Sequence, residues 1–110
     1  MSFLNIIIND QLAFEYDRST VLDDTQLAFI EKMDRDMDRG IRIYGELITE
    51  PDSKHKASFV AMNLLKGLQQ EDKVRIEVSC AYLSSRLPHV VEVHARDLDG
   101  RVNIEFIEEH

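Results

Sequence analysis

The sequence has a single cysteine, Cys80, so no internal disulfide and no Cys-x-x-Cys redox or zinc pair is available. A reducing compartment, the cytoplasm, is expected. Basic residues are the minority, 13 against 21 acidic, which gives a formal charge of −8 that repels phosphate backbones and anionic lipid surfaces. The basic residues form no stripe and the few aromatics do not interleave with them, so no nucleic-acid partner is expected. No apolar run approaches the roughly 18 residues that span a bilayer. Met1 to Ile8 lacks both the basic start and the long apolar stretch of a secretion signal, and no membrane association is expected. Gly40, Gly45, Gly67 and Gly100 are too dispersed to cradle a phosphate, and Ser79, Ser84 and Ser85 lie in no Gly-x-Ser-x-Gly elbow.

What remains is the composition of a globular protein, with 44% apolar and 31% charged residues in a chain of 110. That length supports one hydrophobic core, and residues 1–110 are read as a single domain without internal repeat or linker.

Phe3 to Ile8 and Leu12 to Tyr16 read as a hairpin around Asn9-Asp10-Gln11, a three-residue loop that sets Leu4, Ile6 and Ile8 opposite Tyr16, Phe14 and Leu12. Asp23, Asp24 or Thr25 caps a first helix that runs to about Arg39 and stops at Gly40. Its apolar arc holds Leu22, Phe29, Ile30, Met33 and Met37. Ile41 to Ile48 reads as one strand, apolar on both faces near its end as a covered central strand is. Asp52 or Ser53 caps a second helix ending near Gln70. Lys73 to Tyr82 alternates apolar and polar and is assigned as a strand; the competing helix, phased on Val74, Val78 and Ala81 or Tyr82, exposes Ile76. Val90 to Arg96 and Arg101 to Ile107 form a closing hairpin about Asp99-Gly100, pairing Val93 with Phe106, Ala95 with Ile104 and His94 with Glu105. The order ββαβαβββ predicts an α+β fold, a two-layer sandwich in which two helices cover one face of a mainly antiparallel sheet.

Three groups of residues carry candidate chemistry. Asp34, Asp36, Asp38, Gly40 and Glu46 resemble a calcium loop, but counted from Asp34 the glycine falls at position 7 and the glutamate at 13, one residue late each time. A helix there points Asp34 and Asp36 about 200° apart. No metal and no cofactor are expected. Glu92, His94 and Arg96, with Glu105 across the hairpin, place a titratable base among charged groups on the outer sheet face, a possible small-molecule or catalytic site. An ordinary wet sheet face shows the same pattern, and no catalytic residue is assigned. His55, His89 and His110 lack ligand partners at helical or strand spacing, and His110 falls at a frayed terminus.

The second helix carries the most informative pattern. Ala57, Val60, Ala61, Leu64, Leu65 and Leu68 form one wide stripe, while Phe59 and Met62 fall on the opposite side between His55 and Lys66. One stripe meets the core. The second predicts either a contact with another molecule, of which a further copy of the chain is the simplest, or burial on both sides by the chain itself under a loop such as Ser84 to His89. The sequence therefore predicts a non-enzymatic interaction or regulatory module that forms a homodimer through His55, Phe59, Met62 and Lys66, with an acidic surface that also admits a basic protein partner. A small-molecule binder or enzyme using Glu92, His94, Arg96 and Glu105 is the alternative.

Overall fold

Asn9 and Asp10 both adopt positive φ, at 49° and 66°, and close the first hairpin in two residues rather than three. This is the left-handed pair that matches strand twist, made from the two residue types that tolerate it best after glycine. The expected facing pairs Leu4 with Tyr16 and Ile6 with Phe14 nevertheless hold, because the register shifts between Ile6 and Ile7. That bulge absorbs the residue the turn does not use and leaves Ile7 opposite Leu12 and Ile8 opposite Gln11.

The computed structural model describes residues 2–98 and 101–108, so the predicted Asp99-Gly100 turn and His110 lie outside the described residues. The elements are β1 (Phe3–Ile8), β2 (Gln11–Asp17), α1 (Asp24–Asp38), β3 (Ile41–Ile43), β4 (Glu46–Ile48), α2 (Ser53–Gln70), α3 (Lys73–Arg86), β5 (Val90–Leu98) and β6 (Arg101–Glu108). The fold is α+β. A four-stranded sheet runs β2-β1-β5-β6, with β1 and β5 parallel at its centre and antiparallel pairs at both edges. The closing hairpin has the predicted register, Val93 with Phe106, His94 with Glu105 and Ala95 with Ile104. Leu4 and Ile6 of β1 and Val90 and Val93 of β5 join Ile30, Val60, Leu64, Cys80 and Leu83 of the helices in one buried core.

Two segments correct the sequence reading. Residues 73–82 belong to a helix, α3, and not to a strand. Asp72 caps it by accepting from the Arg75 amide at 3.2 Å, and the buried side chains Ile76, Ser79, Cys80 and Leu83 recur at helical spacing. The helix is phased on Ile76. Val74, on which the rejected helical reading was centred, is 72% exposed. Ile41 to Ile48 is a hairpin of two short strands in a sheet of its own, turned by Tyr44 and Gly45 at φ 53° and 79°. The order is thus ββαββααββ, with three helices among the described residues where two were expected.

Candidate functional site

The outer sheet face carries the predicted charged group. Asn5, Glu92 and Ile107 form one row across β1, β5 and β6, and Ile7, His94 and Glu105 form the next. His94 Nε2 lies 2.9 Å from Glu92 Oε1, so the carboxylate orients the imidazole, and Glu105 is the cross-strand neighbour. Arg96 does not converge with them. Its guanidinium donates to Asp10 Oδ1 at 2.7 Å, at the tip of the first hairpin.

The helical layer differs in character. Asp23 and Gln26 close a reciprocal cap at the start of α1, and Asp52 and His55 do the same for α2. His55 is thereby committed to its own helix: its ring Nδ1 accepts from the Asp52 amide at 3.3 Å, while its own amide donates to Asp52 Oδ1 at 2.8 Å. The predicted core stripe of α2 is buried at Ala57, Val60, Ala61, Leu64 and Leu65. On the other side, Phe59 and Met62 are half-buried and Lys66 is exposed. Phe59 packs against the core edge and lines a cleft; Met62 and Lys66 are not among the residues of that cleft.

This first cleft, of about 440 Å³, lies where α1, α2 and the start of α3 meet. Phe29, Met33, Phe59, Val74 and Val78 give it an apolar lining, and Asp36, Asp72 and Arg75 stand among them. Its charges are mixed: Lys32 pairs with Asp36 at 2.8 Å, and Arg75 Nε lies 3.8 Å from Asp72. A second cleft of about 610 Å³ opens beyond Phe29, Val74 and Val78, between β2, α1 and α3. Phe14, Tyr16, Leu22, Ile30 and Ala81 floor it, and Glu15, Asp17 and Glu77 line it without a lysine or arginine. Phe29 is 49% exposed and Val74 72%, so the ridge between the clefts is apolar and open to solvent. Burial holds the Tyr16 phenol above its ordinary value, and the charges of Glu77 and Asp17 push it further the same way.

Asp34, considered above as a calcium ligand, joins the three helices. It accepts hydrogen bonds from the Tyr82 hydroxyl and, at 2.9 Å, from Arg86 Nε, while Lys56 Nζ lies 3.8 Å away and 2.6 Å from Asp38. Asp36 points elsewhere, to Lys32. Burial by itself raises the Asp34 carboxyl, but the hydrogen bonds from Tyr82 and Arg86 and the positive charges of Arg86 and Lys56 outweigh it and hold it below the usual range. No cluster of three or more metal-ligating side chains forms among the described residues. Cys80 is fully buried, with desolvation first and Glu77 second pushing its thiol up to about 12, a packing role and not that of a nucleophile.

Sequence reasoning missed two features of this layer. Arg18 reaches the far end of α3, donating to Ser84 Oγ at 3.2 Å and to the Leu87 carbonyl at 3.0 Å, and so ties the end of β2 to the helix. A lone arginine after a strand carries no signal of that distant contact. The clefts were also missed, because Val78 was assigned to a strand and so was never placed beside Phe29. No protein family, curated protein or solved structure matches the chain in comparisons with known proteins.

Proposed function

We propose that this chain is a non-enzymatic protein-interaction module that pairs with a second copy of itself through the first cleft. The observation that carries the reading is the open apolar surface of the helical layer, where Phe29 and Val74 stand half or more exposed beside the groove lined by Phe59 and Met33. The mixed charges at that groove suit self-pairing. In a two-fold contact each patch meets its own copy, so Asp36, Asp72 and Arg75 can be arranged to face opposite charges, which a rim of one sign does not allow. The contact is centred on Phe59 as the sequence pattern implied, but it is extended toward α1 and α3 and away from Met62 and Lys66. A reducing, cytoplasmic setting fits the single buried thiol.

Light scattering on the eluting protein tests this. Phe59→Glu is expected to give monomer. Because Phe59 also packs on the core, Asn63→Arg, at a half-buried polar position of the same groove, supplies a second variant that keeps the core intact. Wild-type protein that is monomeric at every concentration would contradict the proposal. Ligand binding by the sheet face has the Glu92–His94 pair in its favour, whereas the diversion of Arg96 to Asp10 removes the cation that an anionic ligand needs.

A further inference from the structure

We infer that the free edge of β2, beside the second cleft, accepts an extended segment of a partner protein as a fifth strand of the sheet. The added strand goes beyond self-pairing at the first cleft and does not depend on it. The hydrogen-bond phase of β2 is set at its end, where the Arg18 amide donates to the Ser2 carbonyl at 3.0 Å. In an antiparallel pair alternate residues turn both main-chain groups to the neighbour, so Tyr16, opposite Leu4, and Phe14, opposite Ile6, bond to β1. The N–H and C=O of Glu15, opposite Asn5, then point away from β1, and β2 is the outermost strand on that side. No turn or loop main chain among the described residues takes them up. The Asp17 amide points the same way, while its carbonyl accepts from Thr20 at 3.4 Å. Side chains follow the same alternation. Glu15 shares the outer sheet face with Asn5 and Glu92, whereas Phe14 and Tyr16 face the helices and stay half-buried. It is therefore the main chain of Glu15 that borders the cleft. The inner residues Leu4, Ile6 and Val93 of the central strands are fully buried, but Phe14 and Tyr16 have no strand beyond them. The cleft of about 610 Å³ is the space in which a further strand's inner side chains would stand, against Leu22, Phe29 and Val78.

The open edge decides the occupant's conformation, and the two faces decide its chemistry. A helix keeps its main-chain groups bonded to one another and offers the edge nothing. An extended segment answers the Glu15 amide and carbonyl with its own, and its side chains alternate between the faces. On the inner side they meet the apolar cleft, so valine or isoleucine belongs at every second position. On the outer side the residue beside Glu15 continues the row of Glu15, Asn5 and Glu92, where lysine meets a carboxylate across the strands. A second copy supplies such a segment poorly. Two copies of β2 would set Glu15 and Asp17 of each chain beside those of the other. The other outermost strand, β6, carries Glu105 at the middle of its outer face, and a β6-on-β2 contact is head-to-tail and propagates without closing.

The probe is a peptide of about seven residues, capped at both ends, in which lysine and valine alternate. Two further peptides carry N-methyl groups on the lysines only or on the valines only. In a strand added beside β2 one of these sets of amides bonds to the edge and the other faces solvent. One methylated peptide should therefore lose affinity about tenfold or more while the other binds as the parent does. Amide NMR of the isotope-labelled chain should show saturable shifts concentrated at residues 12–17, 22–26 and 77–81, and solvent exchange of the Glu15 amide should slow about tenfold or more at saturation. Glu15→Pro removes an N–H that faces away from β1 and so spares the β1–β2 ladder; it should abolish binding, and Glu15→Lys should weaken it about threefold or more. Because the methylated peptides are read on the wild-type chain, the test stands even where Glu15→Pro disturbs the sheet. Equal binding by the two methylated peptides, unchanged exchange at Glu15, or no shifts at millimolar peptide would overturn the inference. Shifts of residues 14–17 on simple dilution of the chain would assign the edge to a second copy and overturn it as well. Asn63→Arg, expected to abolish pairing, should still bind the peptide, and Glu15→Lys should still pair. A wild-type monomer that binds the peptide contradicts self-association alone, and a dimer that ignores the peptide contradicts the added strand alone.

Discussion

Asp34 illustrates how much a single side chain does in this molecule. It receives a phenol hydrogen bond and a guanidinium from α3 and faces a lysine from α2, so one carboxylate holds α1 to both neighbours. Removing the hydroxyl with Tyr82→Phe is expected to cost about 1.5–3 kcal/mol, the range for hydrogen bonds to charged groups, measured as a lower urea midpoint at unchanged slope. The pH dependence has a defined sign. A carboxylate whose folded pKa is depressed contributes its stability above the unfolded value, here 3.8, and loses it as pH falls through the folded one. Asp34→Asn should therefore be less stable than wild type at neutral pH, and the gap should close in acid below that window. A gap that persists or widens in acid would show that the carboxylate's charge is not what joins the helices. Cys80 gives a second residue-scale prediction. With its thiol raised to about 12 and buried, alkylation at mildly alkaline pH should track unfolding, and fast modification of the folded chain would contradict that.

At the scale of elements, the caps of α1 and α2 were legible to within two residues and the closing hairpin in its register, because their signals are local, whereas the first hairpin was legible in its strands and not in its turn. Asp23, Asp52 and the alternation Val93, Ala95 against Ile104, Phe106 need no distant partner to be read. α3 was not legible in the same way. Lys73 to Cys80 alternates like a strand, and only the longer series Ile76, Cys80, Leu83 and Leu87 reveals a helical stripe, which extends past the window that alternation fills. Packing decides between them: α3 lies against α2 at Gly67, where an added Cβ would stand 3.2 Å from both Arg75 Cγ and Ile76 Cγ1. Gly67→Val is expected to wedge the two helices apart and cost about 1–3 kcal/mol by thermal or urea unfolding. A stabilised variant would mean that α3 does not approach so closely. The turn at Tyr44-Gly45 was likewise missed, since Ile41, Ile43, Leu47 and Ile48 were read as one strand across a reversal that Tyr44 and Gly45 make, both at positive φ.

At the scale of the whole molecule, the helical layer holds the open apolar surface. The second stripe of α2 pointed to surface beyond what the core covers, and the structure leaves Phe59 and Met62 half-buried. The larger open surface lies beside them, on the ridge of Phe29 and Val74 between two clefts. Only tertiary placement joins residues so far apart in the chain, so that ridge had no local signature. Val74→Glu, on that ridge, is therefore expected to weaken self-pairing without lowering the unfolding free energy by more than about 0.5 kcal/mol.

The central claim is self-association through the α1–α2–α3 groove, and light scattering across a concentration series of wild type and Asn63→Arg tests it most directly. A species of twice the 12.8 kDa chain mass is expected for wild type and one of 12.8 kDa for the folded variant. A wild-type mass of 12.8 kDa at every concentration, or a variant that pairs as wild type does, would contradict it.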